Sequence, residues 1–281
     1  MQYKKTEIIE SLKNTINQKT PIIASGAGTG ISAKFTEKGG ADLIVIYNSG
    51  RYRMAGHTSW AGLLPIGDAN KVVLQMGERE VLPVVKKTPV IAGVFASDPT
   101  RNLDTFLNEV KRLGFSGVIN FPTVGIIEGQ FRDSLESNKQ GFQCEVDLVS
   151  KAKQMDLLTL SYVFTPKQAE QMATAGADII VAHMGNTSGG SVGQNNASPL
   201  EKNVQLIIEI SDAARKINAE VIVLCHGGNI ANPEDASYIF DKTGIEGFVG
   251  ASSLERIPIE KPLTERTEAF KMLSIHENKN S

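Results

Sequence analysis

Eight short apolar runs punctuate the chain: PIIASGA (21–27), ADLIVIYN (41–48), TPVIAGVFA (88–96), FSGVINF (115–121), DLLTLSYVF (156–164), ADIIVAH (177–183), EVIVLCH (220–226) and IEGFVGA (245–251). They do not alternate between apolar and polar positions. A strand with one wet face alternates and a strand covered on both faces does not, so these runs predict a parallel sheet. Amphipathic helical patterns lie between them, clearest at 100–114, 165–176 and 198–217. Thr100, Thr165 and Ser198 are the predicted N-caps, which puts Pro166 and Pro199 at the first helical position. Gly114, Gly176 and Gly244 fall where helices should close just before the next strand.

Strict alternation through eight strands predicts an α/β fold, a single (β/α)8 TIM barrel spanning residues 1–281. An extra N-terminal helix within 1–19 would cover the barrel bottom, and 276–281 reads as a frayed tail. KGGADLIV (38–45) is similar to TAGADIIV (174–181), and GFSGVI (114–119) to GIEGFV (244–249), as a repeated βα unit requires. Helix-to-strand connections are short. Those after strands 2 (48–70), 4 (120–141) and 6 (184–198) are long, and in a barrel they converge on one face. Long loops in a compact domain are more often functional than incidental.

Composition narrows the class. A chain of 281 residues, 41% of them hydrophobic, can bury a core without a disulfide or metal staple. A net charge of −2 predicts no nucleic-acid partner. No apolar run approaches the roughly 20 residues of a membrane span, and the charged N-terminal pattern is not a signal peptide. Cys144 and Cys225 lie far apart and fit neither a disulfide framework nor a zinc ribbon, which points to a reducing, cytoplasmic setting.

The chemistry gathers at the strand ends. HGGN (226–229) and GASS (250–253) put glycines after strands 7 and 8, so Gly227, Gly228, Gly250 and Ser252 could cradle a phosphate ahead of a short helix beginning near Ser252. The same glycines could merely shape tight turns. Arg51 and Arg53 could grip a carboxylate with forked hydrogen bonds, or could be surface charge or an oligomer contact. Asn120, Arg132, Asn186 and Asn229 are further substrate-binding candidates. Glu128, His183 and His226 are the acid–base candidates. Glu128 could equally pair with Arg132 at i,i+4. The glycines of ASGAGTG (24–30) sit in or at the end of strand 1 and no acidic residue ends strand 2, so no nicotinamide or flavin cofactor is expected. Cys225 should point away from the site by strand alternation.

Four stretches carry a resemblance: GAGTGISAKFTEKGGADLIVIYNSGRYRMAG (26–56), NFPTVGIIEGQFR (120–132), HMGNTSGGSVG (183–193) and CHGGNIANPEDASYIF (225–240). Together they resemble the phosphoenolpyruvate hydrolase-like family of TIM-barrel enzymes, a domain also found in plant virus-resistance proteins. The resemblance implies a barrel akin to the phosphoenolpyruvate mutase and isocitrate lyase enzymes. It further implies cleavage of a P–C, P–O or C–C bond in a small phosphono- or phospho-carboxylic acid such as phosphonopyruvate or phosphoenolpyruvate. Mutase-type enzymes hold magnesium with carboxylates after strands 2 to 4. Here strand 2 ends in Asn48-Ser49-Gly50, which leaves Asp98 and Glu128 as candidate ligands of a divalent cation. The expected partner is a small anionic substrate, with a homo-oligomer as a candidate assembly. The alternatives are a sugar-phosphate aldolase or isomerase, disfavoured in its Schiff-base form because strands 4 to 8 carry no lysine, and a non-catalytic ligand-sensing or partner-binding barrel.

Overall fold

The structure, a computed structural model, describes residues 3–195 and 197–275, so the tail expected at 276–281 lies outside the described residues. Its elements run α1 (Lys5–Asn17), β1 (Ile22–Gly26), α2 (Gly30–Lys38), β2 (Leu43–Ile46), α3 (Asn48–Met54), α4 (Ala69–Met76), β3 (Val90–Gly93), α5 (Leu103–Leu113), β4 (Gly117–Ile119), α6 (Gly129–Ser137), α7 (Gln143–Gln154), β5 (Leu158–Val163), α8 (Pro166–Ala175), β6 (Ile179–His183), α9 (Leu200–Ile217), β7 (Ile222–His226), α10 (Pro233–Thr243), β8 (Gly247–Gly250) and α11 (Arg256–Lys271). The strands close in sequence order into a parallel barrel, with β8 returning to β1. This is the TIM barrel that the apolar runs predict.

Two apolar layers explain why the strand runs do not alternate. One set of side chains, including Leu43, Val45, Ile91, Leu160, Val181 and Leu224, fills the barrel interior. The intervening residues, including Val163, Ile180, Ala182, Val223 and Cys225, pack under the helices. Both layers exclude water, so both must be apolar. Cys225 is therefore turned away from the barrel axis, and burial pushes its thiol well up. α1 lays Ile8 and Leu12 against the N-terminal end of the barrel, and Lys5 reaches Asp178 at 3.2 Å.

Thr165 caps α8 by accepting from Gln168 N–H, with Pro166 opening the helix. Gly114, Gly176 and Gly244 close α5, α8 and α10 with φ of 104°, 91° and 65°, a region where a side chain would be strained. Two expected caps differ. Thr100 turns its hydroxyl to Asp98 (2.6 Å), and Asn102 caps α5 instead. Ser198 gives way to Pro199, which stays extended at ψ 147° and offers no side-chain cap to α9.

The segment 48–70 is more ordered than a loop. α3 follows β2 directly, and residues Ser59–Leu63 form a 3-10 turn. Asn48 Nδ2 donates to Gly62 O at 2.9 Å, folding that turn back over the strand end. A Cβ on Gly62 would lie 2.6 Å from Ser49 Cβ, so the approach depends on glycine.

Candidate functional site

The C-terminal end of the barrel is closed by aromatic rings. β6 and β7 end in register at His183 and His226, whose ring centroids lie 4.6 Å apart. Tyr162, ending the inward row of β5, stands 4.7 Å from His183 and 5.2 Å from His226. Phe121 and Tyr47 continue the row, 4.8 Å apart. Alternation explains the grouping, since each follows the inward-facing residues of its strand.

The histidines are held in opposite tautomers. His226 Nδ1 lies 2.6 Å from Val249 O, and a carbonyl can only accept, so Nδ1 carries the proton and Nε2 keeps its lone pair. His183 Nδ1 lies 3.0 Å from Gly185 N, a backbone donor, so Nδ1 accepts and Nε2 carries the proton. These tautomers are assigned from the hydrogen-bond partners. Burial pushes His226 down to about 4, with the neighbouring Arg53 charge adding to the effect. Burial also pushes His183 well below the usual histidine range, assisted by His226. Both rings are neutral near pH 7, one a donor and one an acceptor.

Arg53 lies above them, 1% exposed, with Nε and Nη2 donating to Glu255 Oε2 at 2.8 and 2.6 Å. Glu255 Oε1 accepts from Gly28 N–H at 2.6 Å. Burial disfavours the guanidinium charge, and Glu255 outweighs that and keeps it protonated. Nη1 is buried without a hydrogen-bond partner. Tyr162 Oη lies close enough to Tyr47 to interact, yet makes no hydrogen bond of good geometry. Arg53, Tyr162, both histidines, Asn186, Thr187, Ser59, Trp60 and Ser252 line one cavity of about 30 Å³, room for roughly one water.

Of the residues expected from sequence, this cavity gathers His183, His226, Arg53, Asn186 and Ser252. The others lie elsewhere. Arg51 turns to Glu80 at 2.5 Å on the barrel flank, because helical geometry sends residues two apart to different sides of α3. Glu128 is exposed at the start of α6 and lines an outer groove that touches the far side of His183. Arg132 pairs with Glu136 at 2.6 Å, one turn along α6, and not with Glu128. Asn120 faces outward and bonds Glu145 and the backbone of Tyr162. The four-part phosphate cradle is not assembled. Gly250 faces Leu254 and Phe248 in the outer layer, and Gly228 N–H is taken by Gly185 O at 3.1 Å. Gly227 stands beside the His183 ring, while Asn229 donates to Ser198 O at 3.0 Å. The helix expected near Ser252 begins four residues later, at Arg256.

A family model for phosphoenolpyruvate hydrolase-like proteins matches residues 7–273. The chain belongs to the phosphoenolpyruvate hydrolase-like family. It is 53% identical over 273 residues to the ToMV resistance protein Tm-1(GCR237) of Solanum lycopersicum, a match covering 97% of this chain and 36% of the tomato protein. The chain thus spans about a third of that curated relative's length. Among solved structures it resembles phosphoenolpyruvate phosphomutase from Streptomyces platensis subsp. rosaceus (TM-score 0.60, 15% identity, 94% of this chain and 87% of that one). It also resembles a phosphonopyruvate hydrolase in complex with oxalate and Mg++ (TM-score 0.57, 14% identity, 96% and 88%). At these identities the likeness is one of fold.

A magnesium ion is held by hard oxygen ligands, commonly one or two carboxylates with waters completing the shell, and among the described residues of this phosphoenolpyruvate hydrolase-like chain the two candidate carboxylates, Asp98 and Glu128, do not converge on one point. Asp98 is bonded to Thr100, Arg101 and Asn70. Burial opposes its charge, but those bonds outweigh burial and hold the carboxyl down to about 2. It lies in a groove lined by Leu63, Asp68 and Phe131, apart from Glu128. Glu255 is committed to Arg53 and Gly28. Among the described residues no three His, Cys, Asp or Glu side chains gather as a metal site. No helix among them is long and apolar enough to cross a membrane.

Sequence reasoning missed Tyr162, Glu255 and Glu145. Tyr162 was legible, since it follows Leu158 and Leu160 at the inward period of two. Glu255 was not, because it lies five residues past β8 in a turn. Glu145, on α7, is 1% exposed and accepts from Asn120, Thr123 and Val124 N–H, so it anchors the chain after β4. Burial pushes its carboxyl up to about 7 against those bonds.

Proposed function

We propose that this barrel is a hydrolase or lyase of a small phosphono- or phospho-carboxylic acid, with phosphonopyruvate as the reference substrate. One observation carries the reading: a neutral histidine acceptor, a neutral histidine donor and a buried arginine, one of whose nitrogens has no hydrogen-bond partner, all line one cavity. Arg53 Nη1 and His183 Nε2–H would hold the enolate oxygen as charge develops there. His226 Nε2 would take a proton from water as its oxygen bonds to phosphorus. The P–C bond breaks, its electron pair passes into the pyruvate enolate, and the proton on His226 goes to the methylene carbon. The products are pyruvate and phosphate. His226 is a free base at neutral pH, and a bound anion would raise its affinity for the proton. The cavity's small volume means that Trp60 and the Asn186–Thr187 segment must move outward to admit a three-carbon acid.

The test has two arms. Oxalate, a planar stand-in for an enolate, should raise the Tm. Phosphonopyruvate or phosphoenolpyruvate should release inorganic phosphate, followed by 31P NMR. No response to any of the three acids sinks the reading. Binding without cleavage favours a ligand-sensing barrel, a second reading supported by the enclosed cavity and by the tomato relative's name as a resistance protein.

A further inference from the structure

Outside His183, between α6, α8 and α9, runs a groove of about 760 Å³, within the usual range for a small-molecule site. His183 is the one residue that it shares with the lining of the 30 Å³ cavity. Its floor is held in place by the chain itself. Gln168, 7% exposed, donates from Nε2 to Gly125 O at 3.0 Å and accepts from Phe164 N–H at 2.7 Å, which ties the chain after β4 to the end of β5.

Three helices open on this groove: α6 at Gly129, α8 after Thr165 and α9 after Ser198. α6 and α9 have no side-chain cap, so their first N–H groups stay free to donate at the positive end of each helix. A second observation points to a ligand. Asn203, in the first turn of α9, is 3% exposed and lines the groove, and its Nδ2 is buried without a hydrogen-bond partner. The other buried polar side chains of the lining, Gln168 and His183, both have partners. A buried donor left unpaired is costly, and the partner it lacks is by its chemistry an acceptor.

The charges agree with that polarity. Arg132 is balanced by Glu136 at 2.6 Å. Lys167, exposed on α8, has no ion-pair partner among the described residues. Glu128 belongs to the α6 wall, so the α8–α9 side carries the uncompensated positive charge. Phe142, Phe164 and Leu206 supply apolar surface beside it.

We propose that this groove is a second ligand site, for an oxyanion carried on a small apolar body. The head accepts from Asn203 and the start of α9 and pairs with Lys167. The body lies against Phe142, Phe164 and Leu206.

Calorimetric titration of the whole chain with phenyl phosphate and with phenylacetate tests this. At least one should bind saturably at one site per chain, and the tighter of the two identifies the head as phosphate or carboxylate. Lys167→Glu, at an exposed position that leaves the fold intact, should weaken that binding about 10-fold or more. Asn203→Leu, which removes the donor, should weaken it about 10-fold, with circular dichroism as the check on folding. Excess oxalate, directed at the inner cavity, should leave the aromatic acid bound. The proposal is overturned if neither acid saturates, if Lys167→Glu or a folded Asn203→Leu binds as well as the wild type, or if oxalate displaces the probe.

Discussion

His183 and His226 end adjacent strands, in register, within the same pattern of His-x-Gly-Asn. Their surroundings then diverge. His226 meets a carbonyl of β8, while His183 meets the N–H of its own Gly185. The first is fixed by the neighbouring strand and the second by its own turn. The asparagines diverge too, Asn186 lining the cavity and Asn229 tying the chain at Ser198. A repeated motif places two side chains together, and the partner each finds decides its chemistry.

The largest test of that difference removes the counter-ion above the pair. Arg53 depresses His226 but is not a cause of the His183 shift. Glu255→Gln should leave the guanidinium buried and uncompensated, costing about 3–5 kcal/mol in chemical denaturation. A loss below about 1 kcal/mol would show that the pair does not hold the mouth together.

Next, the two rings should fail differently. His226→Gln should lower turnover by about 10²–10⁴-fold, the range for a lost general base. His183→Gln keeps an N–H donor and should cost about 10-fold or less, whereas His183→Leu should cost about 10²-fold as a lost charge-stabilising donor. Equal losses for His226→Gln and His183→Gln would erase the division of roles.

The glycines give a smaller contrast. Gly227 has φ 77°, and a Cβ there would lie 2.0 Å from Gly185 O; Gly185 has φ 97° and only Gln194 Oε1 at 3.5 Å. Gly227→Ala should destabilise by about 3 kcal/mol through overpacking and backbone strain. Gly185→Ala should cost about 1 kcal/mol. Urea midpoints for the two would reverse if the motifs did not interlock here.

The pH effect is gradual. Both rings have folded values below the unfolded one, so their contribution is present above about pH 6.5 and lost as pH falls. For His226 the loss should run from about 6.5 down to about 4, at roughly 1.4 kcal/mol per pH unit. Replacing His226 by Gln should flatten this acid limb, and ring signals in NMR should not titrate between pH 8 and 6. A titration midpoint near 6.5 for either ring would contradict the burial argument.

The barrel was legible because its cause is local. Eight runs without polar alternation, Gly114, Gly176 and Gly244 at helix ends, and Pro166 after Thr165 each state an element and its limits. The histidines were legible for the same reason, since a strand end fixes both depth and direction. Arg51 and Arg53 were separable only by knowing that β2 passes straight into a helix. Glu128 looked chemical because it is a carboxylate on a long loop after a strand, with a pairing to Arg132 as the equal alternative, and its exposure emerges only from the fold. Glu255 and Glu145 act through partners 202 and 25 residues away, and no spacing records such pairings.

The root of α11 also reaches the mouth. Arg256 Nη2 donates to Gly189 O at 3.0 Å, and Glu260 accepts from Ser191 N–H and its hydroxyl at 3.0 and 2.7 Å. One residue earlier, Glu255 holds Arg53. The segment from Asn186 to Gln194 is thus fastened to the root of α11. Any ligand that displaces this segment must then loosen the root of α11, and by reciprocity a change that loosens the root must shift the affinity for the ligand by the same factor. Oxalate isotherms of the wild type and of Glu260→Gln would differ by that factor; superposable curves would mean that the barrel mouth and α11 keep separate thermodynamic accounts.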